Sequence, residues 1–286
     1  MTTDTVLYTI AEHIRDGQAV PYLGPGALEG CVSVTDGTPM PADSHSLILA
    51  MNNGRPMAPK LMYEFPRAAM NLELKKGRGF INRFLTTLYG ETQWSRAAVH
   101  DWLAALQPEY VIDINRDSQL QDSYNGAPHI LVRGTARIGG TDFRFQIHEY
   151  DGEKYREISH EEADPKLPVL FKPMGSPTPY PTYIASDADY VDYITELMGG
   201  FAIPSFLKEK RKGLKYVLLG MRLTRDTERM VMSDILHDSH VDKGWALIPN
   251  ATDKEKRFCS MQGITVVDAG IDDFLSIAKQ QMQAAS

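Results

Sequence analysis

Gln18-Ala19-Val20-Pro21-Tyr22-Leu23-Gly24-Pro25-Gly26-Ala27 is the stretch from which the architecture of this chain can be read. Ala19 to Leu23 is a short apolar run that enters a glycine loop, and glycine can take backbone angles that other residues avoid. Just upstream, Leu7, Ile10, Ala11 and Ile14 recur at helical spacing behind a capping Thr3 or Asp4, with Gly17 past the last turn. Helix, strand and glycine loop in this order open an α/β layer. A Gly-x-Gly loop after a first strand lets backbone amides approach a pyrophosphate. Without a third glycine it reads first as a plain turn, and Pro25 removes one amide donor.

Working outward, helical stripes dominate up to residue 106: Leu47, Ile48 and Met51; Ala69 and Leu72 behind Pro66; Phe80 to Leu88; and Trp94 to Leu106. A second buried strand is expected at Tyr110-Val111-Ile112-Asp113-Ile114, ending at Asn115-Arg116-Asp117. Further strands are expected at Pro168–Lys172, Lys215–Gly220, Trp245–Pro249 and Ile264–Asp268, with helices at Ser186–Leu197, Asp226–Leu236 and Ile271–Met282. This alternation predicts an α/β fold: a Rossmann-like parallel sheet of about six strands flanked by helices. Ile130–Ile138 and Phe143–Tyr150 flank Gly139-Gly140-Thr141-Asp142, which predicts a small β-hairpin insertion over 129–150, off the main sheet of one domain spanning 1–286.

Composition narrows the function classes. The 286 residues are 43% hydrophobic and carry a formal charge of −7, which argues against a protein that coats nucleic acid or an anionic membrane. The run of Lys208, Lys210, Arg211, Lys212 and Lys215 reads as a solvated helix end. No stretch approaches the roughly 18 apolar residues of a membrane span, and no leader is evident, so a cytoplasmic location is expected. Cys31 and Cys259 cannot form the four-thiolate set of a structural zinc site, so no zinc is expected. His237-Asp238-Ser239-His240 offers two histidines three apart and no third ligand, so no metal centre is expected there either.

In an open parallel sheet, ligands bind beyond the carboxyl ends of the strands. Three such ends carry distinctive residues: Gly24-Pro25-Gly26, Asn115 with Asp117, and Met174-Gly175-Ser176. On their own, Asn115 and Asp117 also suit helix capping or turn formation. In order, these elements resemble the bacterial sirtuin-like family. Ile14 to Ala27 is similar to its opening helix, strand and glycine loop, and Asp113 to Leu120 to its Thr-Thr-Asn-Tyr-Asp-x-x-Leu segment. Val169 to Ser176 is similar to its strand ending in His-Gly-Ser, and Tyr216 to Asp226 to its Leu-Gly-Tyr-Ser-Leu-x-Asp segment.

The resemblance implies an NAD cleft lined by Gly24, Gly26, Asn115, Asp117, Gly175, Ser176 and Gly220, with a histidine as general base. That position is Met174, whose thioether exchanges no proton. Asp113 adds negative charge and Pro25 removes a donor, both against an anion site. The first expectation is therefore a non-catalytic, sirtuin-like accessory protein that recognises a protein partner, with or without a nucleotide. Proteins of this kind occur among nitrogen-fixation genes, so the resemblance implies nitrogenase as partner, with Pro173 to Pro181 as a candidate exposed contact. The second is an NAD hydrolase of the bacterial defence type, with Asn115 and Asp117 as its polar residues and His129, His148 or His160 as substitute base.

Overall fold

A computed structural model describes residues 2–138, 143–237 and 242–284. In chain order the elements are α1 (Thr3–Arg15), β1 (Ala19–Leu23), α2 (Ser44–Met51), α3 (Phe65–Lys76), α4 (Arg78–Thr86), α5 (Ala98–Leu106), β2 (Tyr110–Asp113), α6 (Gln119–Asp122), β3 (His129–Gly134), β4 (Phe145–Tyr150) and β5 (Tyr155–Ile158). They continue as β6 (Val169–Lys172), β7 (Gly175–Ser176), β8 (Thr182–Tyr183), α7 (Asp187–Met198), α8 (Ser205–Lys210), β9 (Lys215–Leu219), α9 (Asp226–Ile235), β10 (Gly244–Leu247), α10 (Asp253–Met261), β11 (Ile264–Val267) and α11 (Ile271–Ala284).

The main sheet has the order β11-β10-β9-β1-β2-β6-β3-β4-β5. Every pairing from β11 across to β3 is parallel, and β4 and β5 add antiparallel strands at one edge. The predicted Rossmann-like sheet is present. The hairpin of 129–150 differs from expectation in its attachment: β3 pairs with β6 on one side and β4 on the other, so it belongs to the main sheet. Its six residues are all buried, and a strand buried on both faces must be paired on both edges. The turn expected at Gly139 to Asp142 lies outside the described residues.

Strand alternation sends side chains to two cores. One, under α1, α2, α3, α5 and α11, takes Leu23, Val111, Leu131, Leu170, Leu219 and Leu247. The other, under α7, α9 and α10, takes Tyr22, Ile112, Val132, Phe171 and Leu218. Helix ends follow the expected chemistry with small shifts. Thr2 caps α1, one residue earlier than expected, by accepting from the Thr5 amide at 3.3 Å. Asp43 caps α2, and the Asp189 carboxylate accepts from the Ser186 amide at 2.9 Å. In the basic run, Arg211 is buried and donates to the Ile235 carbonyl at 2.8 Å, so it is a tie between α8 and α9.

β1 lies between β2 and β9, the point where the chain changes its direction of travel across the sheet. Here two loops meet backbone to backbone. The Gly26 amide donates to the Gly220 carbonyl at 2.9 Å, and Gly220 has φ +71°. A Cβ at Gly220 would stand 2.5 Å from the Ala27 nitrogen. Gly220→Ala should therefore cost about 2–4 kcal/mol. Gly17→Ala, also at positive φ but with nothing within 4 Å, should cost only about 1 kcal/mol. Urea unfolding of the two variants checks the difference.

Candidate functional site

The register of the sheet brings one row of side chains to its carboxyl end. Leu247 pairs with Leu219, Leu219 with Leu23, and Leu23 with Asp113. The Ile112–Phe171 pairing then sets Asp113 beside Lys172, which pairs with Arg133, which in turn pairs with Gln146. All these residues from Leu247 to Arg133 fall on the face that packs against α5, because each is two residues beyond, or itself is, a member of that core. The row changes from apolar to charged between β1 and β2. That change divides the strand ends into an open half and a sealed half.

The sealed half is a buried polar cluster. Lys172 Nζ donates to Asp113 Oδ2 at 2.6 Å, and neither side chain has any exposure. Burial pushes the Asp113 carboxyl above its ordinary range against the pull of Lys172. Asp113 Oδ1 accepts from the Asn115 amide and from Asn115 Nδ2, each at 2.9 Å. Asn115 Nδ2 also donates to the Gly24 carbonyl at 2.9 Å, tying the end of β2 to the glycine loop. Asp117 Oδ1 accepts from the Gln119 amide at 2.8 Å, in the turn that leads into α6. Asp117 Oδ2 is buried without a hydrogen-bond partner among the described residues.

His100 of α5 joins this cluster. Its side chain has no exposure, and neither ring nitrogen has a hydrogen-bond partner among the described residues. Ligand atoms of His100, Asp113 and Asp117 all lie within 4.8 Å of one another. Burial holds the imidazole pKa down to about 4, so it is neutral at pH 7.

A strap over residues 173–184 closes this half. β7 pairs with β8 across Gly175–Tyr183 and Ser176–Thr182. Ser176 Oγ donates to the Thr178 carbonyl at 2.7 Å and accepts from Gln121 Nε2 at 3.0 Å. The fully buried Arg133 donates to the carbonyls of Thr178 and Tyr180 and lies 4.5 Å from the Tyr180 ring centre. Arg116 holds the far end through the Ile184 carbonyl at 2.7 Å. Met174 is 2% exposed, packs in the core under α7 and α9, and accepts from the Ile184 amide through its carbonyl. The Pro173–Pro181 stretch is therefore not an exposed surface: Pro173 to Pro177 are buried, and only Tyr180 and Pro181 are exposed. Arginine clamps on its carbonyls hold it down.

The open half is a cleft of about 1080 Å³ at the ends of β1, β9 and β10. Gly26, Gly220 and Met221 form part of its floor, with Asp43, Glu228, Asp272 and Asp273 on its walls. Of the residues expected to line a cofactor site, Gly26 and Gly220 line this cleft; Gly24, Asn115, Asp117, Gly175 and Ser176 do not.

The cleft's donors do not suit a pyrophosphate. The amides of Gly24, Gly26 and Ala27 donate to the carbonyls of Leu219, Gly220 and Gly24 at 2.8, 2.9 and 2.9 Å. Asp43 accepts from the first amides of α2, and Asp273 from the Gly270 amide at the start of α11, so carboxylates already stand where an anion would dock. Arg222 pairs with Glu255 at 3.1 Å, and Arg225 lies over the Tyr63 ring at 4.2 Å. The NAD fit implied by the glycine loop therefore fails on the donor set, and the loop's glycines serve close packing against Gly220.

The substitute bases are placed elsewhere. His129 is held between the Ala127 carbonyl and the Tyr155 hydroxyl at 3.0 and 2.7 Å. His148 packs edge-on against Tyr180, and His160 against Phe143. Of the His237–His240 segment, residues 238–240 lie outside the described residues. The imidazole that does meet Asp117 is His100, which periodicity presents as one more buried position of an apolar helix. Its sequence offered no signal beyond a polar residue on that face. No protein-family model matches the chain, and no curated protein matches it.

Glu228 supplies a pH test of the cleft. Burial, then repulsion from Glu64, raises its carboxyl from the usual 4.5 to about 7. Between those values the folded chain retains a proton that the unfolded chain has released, so this group's contribution to stability falls as pH rises through that window. Glu228→Gln should match the parent near pH 4.5 and exceed it by about 1–3 kcal/mol at pH 7.5. Urea titrations at the two pH values measure the gain.

Proposed function

We propose that this protein is a non-catalytic, sirtuin-like accessory factor that recognises a protein partner, a nitrogenase component being the partner its motifs suggest. One observation carries the reading. The strand ends at which a sirtuin-like enzyme needs a base and free anion donors are sealed by the Lys172–Asp113 cluster and its strap. Met174 cannot exchange a proton, and His100 has no solvent exposure through which a substrate could reach it.

An exposed apolar stripe supports the binding side of the proposal. Val191 and Met198, seven residues apart and so on one face of α7, are 68% and 70% exposed. Phe201 follows, half exposed, with its ring centre 6.2 Å from that of Phe143. Exposed apolar side chains on one face can seat a protein partner when they form a contiguous patch. The net charge of −7 directs the stripe toward protein and away from nucleic acid.

Two measurements test the proposal. Incubation with NAD should release no nicotinamide above the no-protein control, and Met174→His should not create activity, because that position faces a packed core. Turnover abolished by Asn115→Ala would reverse the assignment in favour of an NAD hydrolase. Affinity capture with purified nitrogenase components should retain the parent chain, while the Val191→Glu, Met198→Glu double variant should bind at least about tenfold more weakly.

A further inference from the structure

We propose that His100, Asp113 and Asp117 form a binding site for a divalent transition-metal ion, with Zn²⁺ the ion whose preferences they match, pinning α5 to the end of β2. The set is one imidazole and two carboxylates, a donor combination suited to zinc. Ligand atoms within 4.8 Å of one another need to draw in by about 1 Å to reach zinc–ligand lengths near 2.1 Å, a distance that side-chain rotation covers. The inference stands apart from the partner-binding proposal.

Two observations point to a cation here. Both ring nitrogens of His100 and Oδ2 of Asp117 are unpartnered among the described residues and buried, and a buried polar atom without a partner is destabilising. Two carboxylates are set against one ammonium in the same closed volume, leaving the cluster short of positive charge. The three residues come from a helix, a strand end and the loop after it, so an ion would add a cross-link to the hydrogen bonds that already join His100 to Ser123 and Ala97 to Gln119. Full burial leaves no exposed position for a substrate.

Lys172 is the competitor, because its ammonium sits on Asp113 Oδ2 at 2.6 Å. Lys172→Met frees that oxygen and leaves two carboxylates with no internal cation. The proposal requires this variant to gain zinc affinity and to depend on zinc for stability.

The test uses tag-free full-length chain, stripped with chelator and supplied with Zn²⁺ both when folded and during refolding. Equilibrium dialysis with metal analysis should find one equivalent bound, with a rise in Tm. Co²⁺ in its place should give a visible d–d spectrum. Asp117→Asn and His100→Gln should each weaken binding by at least about tenfold, and Lys172→Met should strengthen it by a similar factor. Absence of Zn²⁺ and Co²⁺ uptake by the parent chain would overturn the proposal, as would uptake unaltered in both ligand variants. Should those variants not fold, Lys172→Met decides: stability indifferent to Zn²⁺ counts against the site.

Discussion

Asp113 and Lys172 hold opposite charges 2.6 Å apart on adjacent parallel strands, with no solvent contact on either side chain. Taking such a pair out of water is costly, and removing one partner from a buried pair typically costs about 3–5 kcal/mol. The surroundings are arranged to satisfy it. Asn115 gives two hydrogen bonds to the remaining carboxylate oxygen and a third to the glycine loop. The residues that resemble a catalytic asparagine segment are thus engaged with their own protein.

The consequence for function follows from the sheet register. One row of side chains runs apolar from β10 to β1 and charged from β2 to β3. The charged half needs covering, because its lysine and arginine are buried, and the strap from Pro173 to Ile184 provides carbonyl oxygens to Arg133 and Arg116. The apolar half stays open as the cleft.

Much of this was legible in the residues. The runs expected as strands at Ala19–Leu23, Tyr110–Ile114, Pro168–Lys172 and Lys215–Gly220 contain β1, β2, β6 and β9. β5, β7 and β8 were not legible, since Tyr155–Ile158 has mixed burial and the other two strands have only two residues each. Lys172 read as the end of a strand and His100 as a member of an amphipathic helix. Neither carries a local pattern that marks a buried ionic cluster.

Periodicity and punctuation in the chain determined the α/β class, because the alternation of apolar strand runs with amphipathic helices is written in residues near one another in sequence. Only the tertiary structure decided that the loop's amides face neighbouring carbonyls and that Asp113 meets Lys172. It likewise set His100 against Asp117 and turned Met174, itself part of the strap, into the core under α7 and α9. Those outcomes rest on inter-strand register and on contacts between residues as far apart as Asn115 and Gly24. A donor or acceptor looks available in a sequence until its distant partner is in place.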